Sequence, residues 1–179
     1  MMFKMVQDLN ERASRLELEY WLNEDLFSPH WWFIAILNLL FIVLLFVLID
    51  RCRLMQMSIA FLISFILVGI VDELGYFFGL WTYPHQFITV LRSFNAVDFA
   101  VVPVMITLTY QYFRKWKNYV IANAAIFLFV SYIMIPLFVH YRLYILYKWN
   151  YTYSFLSLFV LCLVVKACSD WICRLAKNP

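Results

Sequence analysis

Long runs nearly free of charge recur along this chain, separated by short basic or aromatic clusters. A helix needs ~20 apolar residues to cross a bilayer. Five runs meet or approach that length: 31–49, 55–80, 96–113, 118–140 and 151–173. Asp50-Arg51-Cys52-Arg53 closes the first run and Trp81-Thr82-Tyr83-Pro84 the second. Arg114-Lys115-Trp116-Lys117 closes the third, and Arg174 and Lys177 follow the fifth. Pro103 and Pro136 lie inside the third and fourth, which intramembrane helices tolerate where neighbours satisfy the freed carbonyls. The composition agrees, at 65% hydrophobic and 14% charged, against roughly half apolar and a quarter charged in soluble domains. The expected fold is all-α: a five-helix transmembrane bundle, residues 31–179, behind an amphipathic N-terminal segment, residues 1–30.

Residues 5–25 read as the amphipathic helix. Leu9, Ala13, Leu16 and Tyr20 share a face, and Asp8–Arg12 and Glu11–Arg15 are i,i+4 pairs. The apolar face is expected to lie on the membrane or to pack on the bundle. Pro29-His30-Trp31-Trp32 marks an interface, where tryptophan concentrates. Residues 1–30 lack an apolar h-region, so no cleavable signal peptide is expected. Basic residues near helix ends set orientation. Arg51, Arg53, Arg114, Lys115, Lys117, Arg174 and Lys177 fall on one side; Arg92, Arg142 and Lys148 fall on the other. This predicts the N-terminus outside and the C-terminus in the cytoplasm. The net charge of +3 is too small to point to nucleic acid.

The chain's three glycines, Gly69, Gly75 and Gly79, surround Asp72 in the second run. At ~100° per residue, Asp72, Gly75 and Gly79 fall within ~60° of one another, and Gly69 lies ~60° to the other side. The pattern predicts a small-residue face with one carboxylate near its middle. Gly75 and Gly79 have the spacing that lets another helix approach closely. An ionised acid at the helix centre costs ~2.5–3.5 kcal/mol on insertion scales, so Asp72 and the adjacent Glu73 are candidate site residues. If the helix runs to Trp81, Asp72 lies ~13 Å below the interfacial belt at ~1.5 Å per residue. The acids fit hydrogen-bonded helix glue, a wet vestibule beside a break at Gly75, or a substrate, proton or ion site.

Asp98 opens the third run, with Asn95 just before it, and either would cap that helix. Asp98 falls at the same end as Asp72, so the two could meet, with Arg92 as the nearest counter-charge. Neighbouring carboxyls in an apolar site can retain a proton at neutral pH, which general-acid chemistry needs. Trp81, Tyr83 and Phe99 would wall such a pocket with faces suited to an isoprenoid or a cation formed on it. His30, His85 and His140 share one rim but sit on three segments. Cys52, Cys162, Cys168 and Cys173 form no CxxC pair, so neither a metal site nor a disulfide framework is expected. No cofactor is implied. Lys166 and Asp170, i,i+4 in the last run, predict an ion pair with the lysine snorkelling toward the cytoplasm.

The run Asp72-x-x-Gly75-x-x-x-Gly79-x-Trp81-x-Tyr83 resembles a motif of the small membrane lycopene cyclase domains of bacteria and fungi. In that family an aspartate helix ends in Gly-x-Trp-x-Tyr, and the likeness spans residues 64–112. Where the family opens its next helix with Pro-x-Glu-Glu, this chain reads Ala96-Val97-Asp98-Phe99, with Asp98 at the first glutamate. The resemblance implies a cofactor-free terpenoid or carotenoid cyclase or isomerase using Asp72, Glu73 or Asp98 as proton donor. Through Asp72-Glu73-x-Gly75 and Gly79-Leu80-Trp81-x-Tyr83-Pro84, nearly the whole chain also resembles an uncharacterised group of five-helix membrane proteins of Bacillus-like bacteria. That likeness implies a bacterial cell membrane and carries no activity.

The leading expectation is an acid-bearing intramembrane pocket near the outer leaflet, where the second helix packs on the third. Its ligand would be a lipid or isoprenoid, with Trp81, Tyr83, Arg92, Asn95 and Phe99 lining it. The alternatives are the cyclase, a small transporter with Asn38 and Asn123 on a polar path, and an assembly subunit. The subunit would offer Gly69, Gly75 and Gly79 to a partner helix.

Overall fold

The computed structural model describes residues 1–89 and 100–176. The fold is all-α apart from one small ribbon. Helix α1, Met2–Tyr20, runs on through a π-helical turn, Trp21–Asp25. Helix α2, Pro29–Leu48, starts where Ser28 Oγ accepts from Trp31 N–H at 3.1 Å and Pro29 occupies the first turn, a cap followed by a pre-set φ. Helix α3, Leu54–Phe77, follows a tight turn at Arg51–Arg53. Helix α4 is Val101–Tyr112 and α5 is Trp116–Phe129. A π-helical turn, Val130–Met134, joins α5 to α6, Ile135–His140. Pro136 lacks an N–H, so the backbone just before it cannot keep the regular ladder. Helix α7, Tyr151–Leu175, is capped by Asn150, whose Oδ1 accepts from Tyr153 N–H at 2.9 Å.

Four helical runs among the described residues are long and apolar enough to cross a bilayer: Pro29–Leu48, Arg51–Phe77, Trp116–His140 and Tyr151–Leu175. The third expected span is described only in part. Of 96–113, residues 96–99 lie outside the described residues, and α4 has 12 residues. That is ~18 Å of rise, short of a ~30 Å hydrocarbon core. From Val101 to Gln111 every side chain of α4 is buried except Met105. An apolar run therefore marks burial against protein as well as against lipid.

One end of the bundle holds the C-terminus of α2, the start of α3 and the end of α4. There Gln111 Nε2 donates to Leu48 O at 2.7 Å, and Asp50 N–H donates to Gln111 Oε1 at 2.8 Å. Arg51, Arg53 and Arg114 lie here, so it is the basic end. At the other end two helices stop in the same way. Gly79 N–H donates to Tyr76 O and Leu80 N–H to Gly75 O; Arg142 N–H donates to Val139 O and Leu143 N–H to Phe138 O. Both are Schellman caps with a left-handed residue at the turn: Gly79 at φ +60°, which glycine adopts freely, and Arg142 at φ +56°. The chain emerging from each cap pairs with the other. Strand β1, Trp81–Thr82, lies antiparallel to β2, Ile145–Leu146, with Trp81 opposite Leu146.

The core runs through α3, α4, α5 and α7, with Met57, Val102, Ile106, Tyr119, Phe127, Leu161 and Val165 at its centre. A second cluster at the ribbon end gathers Ile34, Trp81, Phe138, Leu143 and Tyr144. No residue of α1 is buried, and Leu9, Leu16 and Tyr20 are exposed, so its apolar face does not pack on the bundle.

Candidate functional site

Helix α3 carries Asp72 and Gly75 on one buried face, about one turn apart. The cap at Gly79 then reverses the chain and lays Trp81 back along α3. Its indole covers Gly75 so closely that a Cβ there would overlap the ring. From that position Trp81 Nε1 donates to Asp72 Oδ1 at 2.9 Å, and Tyr83 Oη donates to the same oxygen at 2.9 Å. Asp72 is 4% exposed. Donors aimed at a buried carboxylate offset part of its desolvation.

The chain around β2 adds more rings. Tyr144 stacks on Tyr83 with centroids 5.0 Å apart, and Trp149 meets Trp81 edge-on at 4.9 Å. Trp149 Nε1 donates to Ser154 Oγ, in the first turn of α7, at 3.0 Å. Beneath this cap lies a cavity of about 280 Å³. Its walls include Leu37 and Phe41 of α2, Val68 and Val71 of α3, Val102 and Met105 of α4, Val130 and Met134 of the π-helical turn, and Leu161 of α7. Asp72, Trp81, Tyr83, Tyr144 and Trp149 line its ribbon end. An engineered apolar cavity of ~150 Å³ takes up benzene. Such a site suits a hydrocarbon body with a hydroxyl or a cationic centre at the Asp72 end, where a carboxylate and aromatic faces converge.

The predicted residues part company here. Asp72, Trp81 and Tyr83 are brought together. Glu73 points the other way and is exposed, because adjacent helical residues are ~100° apart. Asp98, Phe99, Arg92 and Asn95 lie outside the described residues, so their meeting with Asp72 lies there too. Gly75 and Gly79 are not offered to a helix. Gly75 is covered by Trp81, Gly79 lies beyond α3 in its cap, and Gly69 is half-buried. Helix α3 stops at Phe77, so Asp72 sits only ~7 Å of rise from its end at ~1.5 Å per residue. Lys166 does not snorkel. It is 1% exposed, 3.4 Å from Asp170 and 3.2 Å from Arg114 O, with Tyr110, Trp116 and Tyr119 around its ammonium. The cation is satisfied in place by a carboxylate, a carbonyl and three π-faces. Asn38 and Asn123 are both buried, and Asn123 Oδ1 accepts from Thr109 Oγ1 at 3.1 Å.

Asp25 escaped the sequence reading. It is 1% exposed, pairs with His85 Nδ1 at 2.7 Å and accepts from Gln86 N–H at 2.7 Å. His85 stacks on His30 at 4.2 Å. Trp21 Nε1 donates to Gln86 O at 2.8 Å and Trp31 Nε1 to Phe87 O at 3.2 Å. The N-terminal segment thus clasps the stretch that follows Tyr83. Tyr144 and Trp149 also went unread; the only signal was an aromatic-rich connection at 141–150.

Fold and site together define a helical membrane-type bundle with an acid-ended apolar cavity. No protein-family model, curated protein or solved structure matches the chain.

Proposed function

We propose that this is a multi-pass protein of a bacterial cell membrane that takes a lipid or isoprenoid into the cavity ending at Asp72. One observation carries the reading: an apolar space of about 280 Å³ ends at a buried carboxylate beneath a cap of aromatic rings. The proposed topology has five crossings, the N-terminus outside and α1 on the outer interface. Two anchors support the fifth crossing. Phe87 O is bonded near the start of α2, whereas Gln111 is bonded at the end of α2. The exposed apolar side chains of α1 support its interfacial placement.

The test compares wild type and Asp72→Asn, purified in detergent and analysed by mass spectrometry for bound lipid. The amide oxygen can still accept from Trp81 and Tyr83. The variant should therefore fold, with a thermal midpoint within about 4 °C, the shift that ~1 kcal/mol gives a chain of this size. A bound lipid or isoprenoid lost or altered in the folded variant supports the reading. No bound species in wild type, with unfolding in the variant, makes Asp72 helix glue and overturns it.

A second reading is an enzyme resembling the membrane lycopene cyclases, in which Asp72 protonates an isoprenoid. The rings of Trp81, Tyr83, Tyr144 and Trp149 beside the carboxyl favour it, since they would stabilise a carbocation. It requires that wild type cyclise an acyclic polyene and that folded Asp72→Asn return it unchanged.

A further inference from the structure

We propose that the cavity opens sideways to the bilayer, through the seam between α2 and α5–α6, and that its occupant is a hydrocarbon chain drawn from the membrane. This rests on the reading of the cavity as a ligand site. Three observations carry it. Met105 is the one residue between Val101 and Gln111 of α4 that is not buried, and it lines the cavity. On the two sides of it, Leu37 and Phe41 of α2 and Val130 and Met134 of the facing helix are all part-exposed while lining the same space. Phe129, also on the wall, is 52% exposed. The seam is closed at the ribbon end, and at the basic end α2 is tied to α4. At the ribbon end Phe33 packs edge-on against Phe138 with centroids 6.0 Å apart. At the basic end Gln111 of α4 is bonded to Leu48 of α2.

These positions fall in the middle of Pro29–Leu48 and Trp116–His140, both long and apolar enough to cross a bilayer. The opening therefore lies at hydrocarbon depth rather than at a surface. A water-borne polar ligand would have to shed its hydration in lipid before reaching it, whereas a chain already in the bilayer would not. The π-helical turn places Val130 and Met134 on this wall, and such turns shift side chains out of the regular helical rows. The shared chemistry is a flexible hydrocarbon chain, supplied either by a free isoprenoid alcohol or by the acyl tail of a bilayer lipid.

The experiment uses the full chain in lipid nanodiscs with two photoreactive probes, a diazirine-bearing C15 prenol and a phosphatidylcholine with a diazirine near one acyl terminus. Adducts are mapped by mass spectrometry. Wild type should be labelled on the deep wall, at Val102 and Leu161, by at least one probe. Labelling by the prenol alone makes the occupant an isoprenoid; labelling by the phospholipid makes it an acyl chain. Leu37→Trp and, from the facing wall, Met134→Trp should each cut deep-wall labelling severalfold or more, with the thermal midpoint held. Leu40→Trp, on the lipid-facing side of α2, should leave labelling unchanged. Deep-wall labelling that survives in both folded seam variants overturns the sideways route and leaves the ligand site standing. No deep-wall labelling of wild type by either probe overturns both.

Discussion

At the scale of residues, the site is a contest over the space above Gly75. A helix face of small residues normally admits a second helix. Here the Trp81 indole occupies that space and uses it to reach Asp72 Oδ1. The glycine is required by a neighbour four positions beyond the end of α3, not by helix pairing. Gly75→Ala forces the indole away from Asp72. The expected cost is ~1–3 kcal/mol, as for overpacking elsewhere, read as a lowered thermal midpoint in detergent. Trp81 fluorescence should shift as the ring leaves its buried place, and a variant with unchanged melt and spectrum would refute the contact. Asp72 itself was legible in the sequence because an acid in an apolar run is costly. Its partners Trp81 and Tyr83 were legible as aromatic walls near the acid, but not as its hydrogen-bond donors. Their donation to one oxygen depends on the reversal at Gly79, which no helical-wheel argument contains.

At the scale of elements, the turn between α2 and α3 shows how a buried helix is locked to its neighbours. Gln111 of α4 satisfies a carbonyl and an amide left open between the two helices. Asp50 closes the same turn, accepting from Arg53 Nε at 2.6 Å and from Cys52 N–H at 3.0 Å. The hydrogen bond from Arg53, ahead of that from Cys52, holds the Asp50 carboxyl below its ordinary range. A lowered folded-state pKa means that the unfolded chain binds the proton more readily. The stabilisation is thus present above the unfolded value and disappears as pH falls through the folded one. Thermal midpoints of wild type and Asp50→Asn should differ slightly at pH ~7, since exposed pairs contribute little. The two should converge as pH falls below the carboxylate range, roughly pH 4. A gap that widens on acidification would contradict this. The sequence placed α2, α3, α5–α6 and α7 within a few residues because their apolar runs are long and bounded by polar or aromatic clusters. Of the third run only α4, Val101–Tyr112, is described, and an apolar run is the signature of a protein-buried helix and of a membrane span alike.

At the scale of the whole molecule, the ends of the bundle are chemically unlike. Arg51, Arg53, Arg114, Lys115, Lys117 and Arg174 lie at the basic end; Arg142 and Lys148 lie at the ribbon end, and α1, which leads into that end, carries Lys4, Arg12 and Arg15. In the proposed topology, which follows the positive-inside rule, the basic end faces the cytoplasm. Cys52 is exposed at that end, and Lys148 is exposed at the other. A membrane-impermeant maleimide should therefore label Lys148→Cys in intact cells and spare Cys52, with the pattern reversed in inside-out vesicles. The opposite pattern would invert the proposed topology. By itself the sequence determined the apolar character of this protein, the place of its four long apolar helices among the described residues and the cost of an acid at Asp72. Those properties follow from composition, run length and the cost of charge in hydrocarbon, all of which are local. The tertiary structure alone decided that Trp81 would cover Gly75 and that Lys166 would be caged rather than snorkel. It also decided that a cavity would remain between α2 and the π-helical turn. These depend on where the chain reverses and on which side chains from distant segments fill the same volume, and that competition for space is settled only when the helices pack.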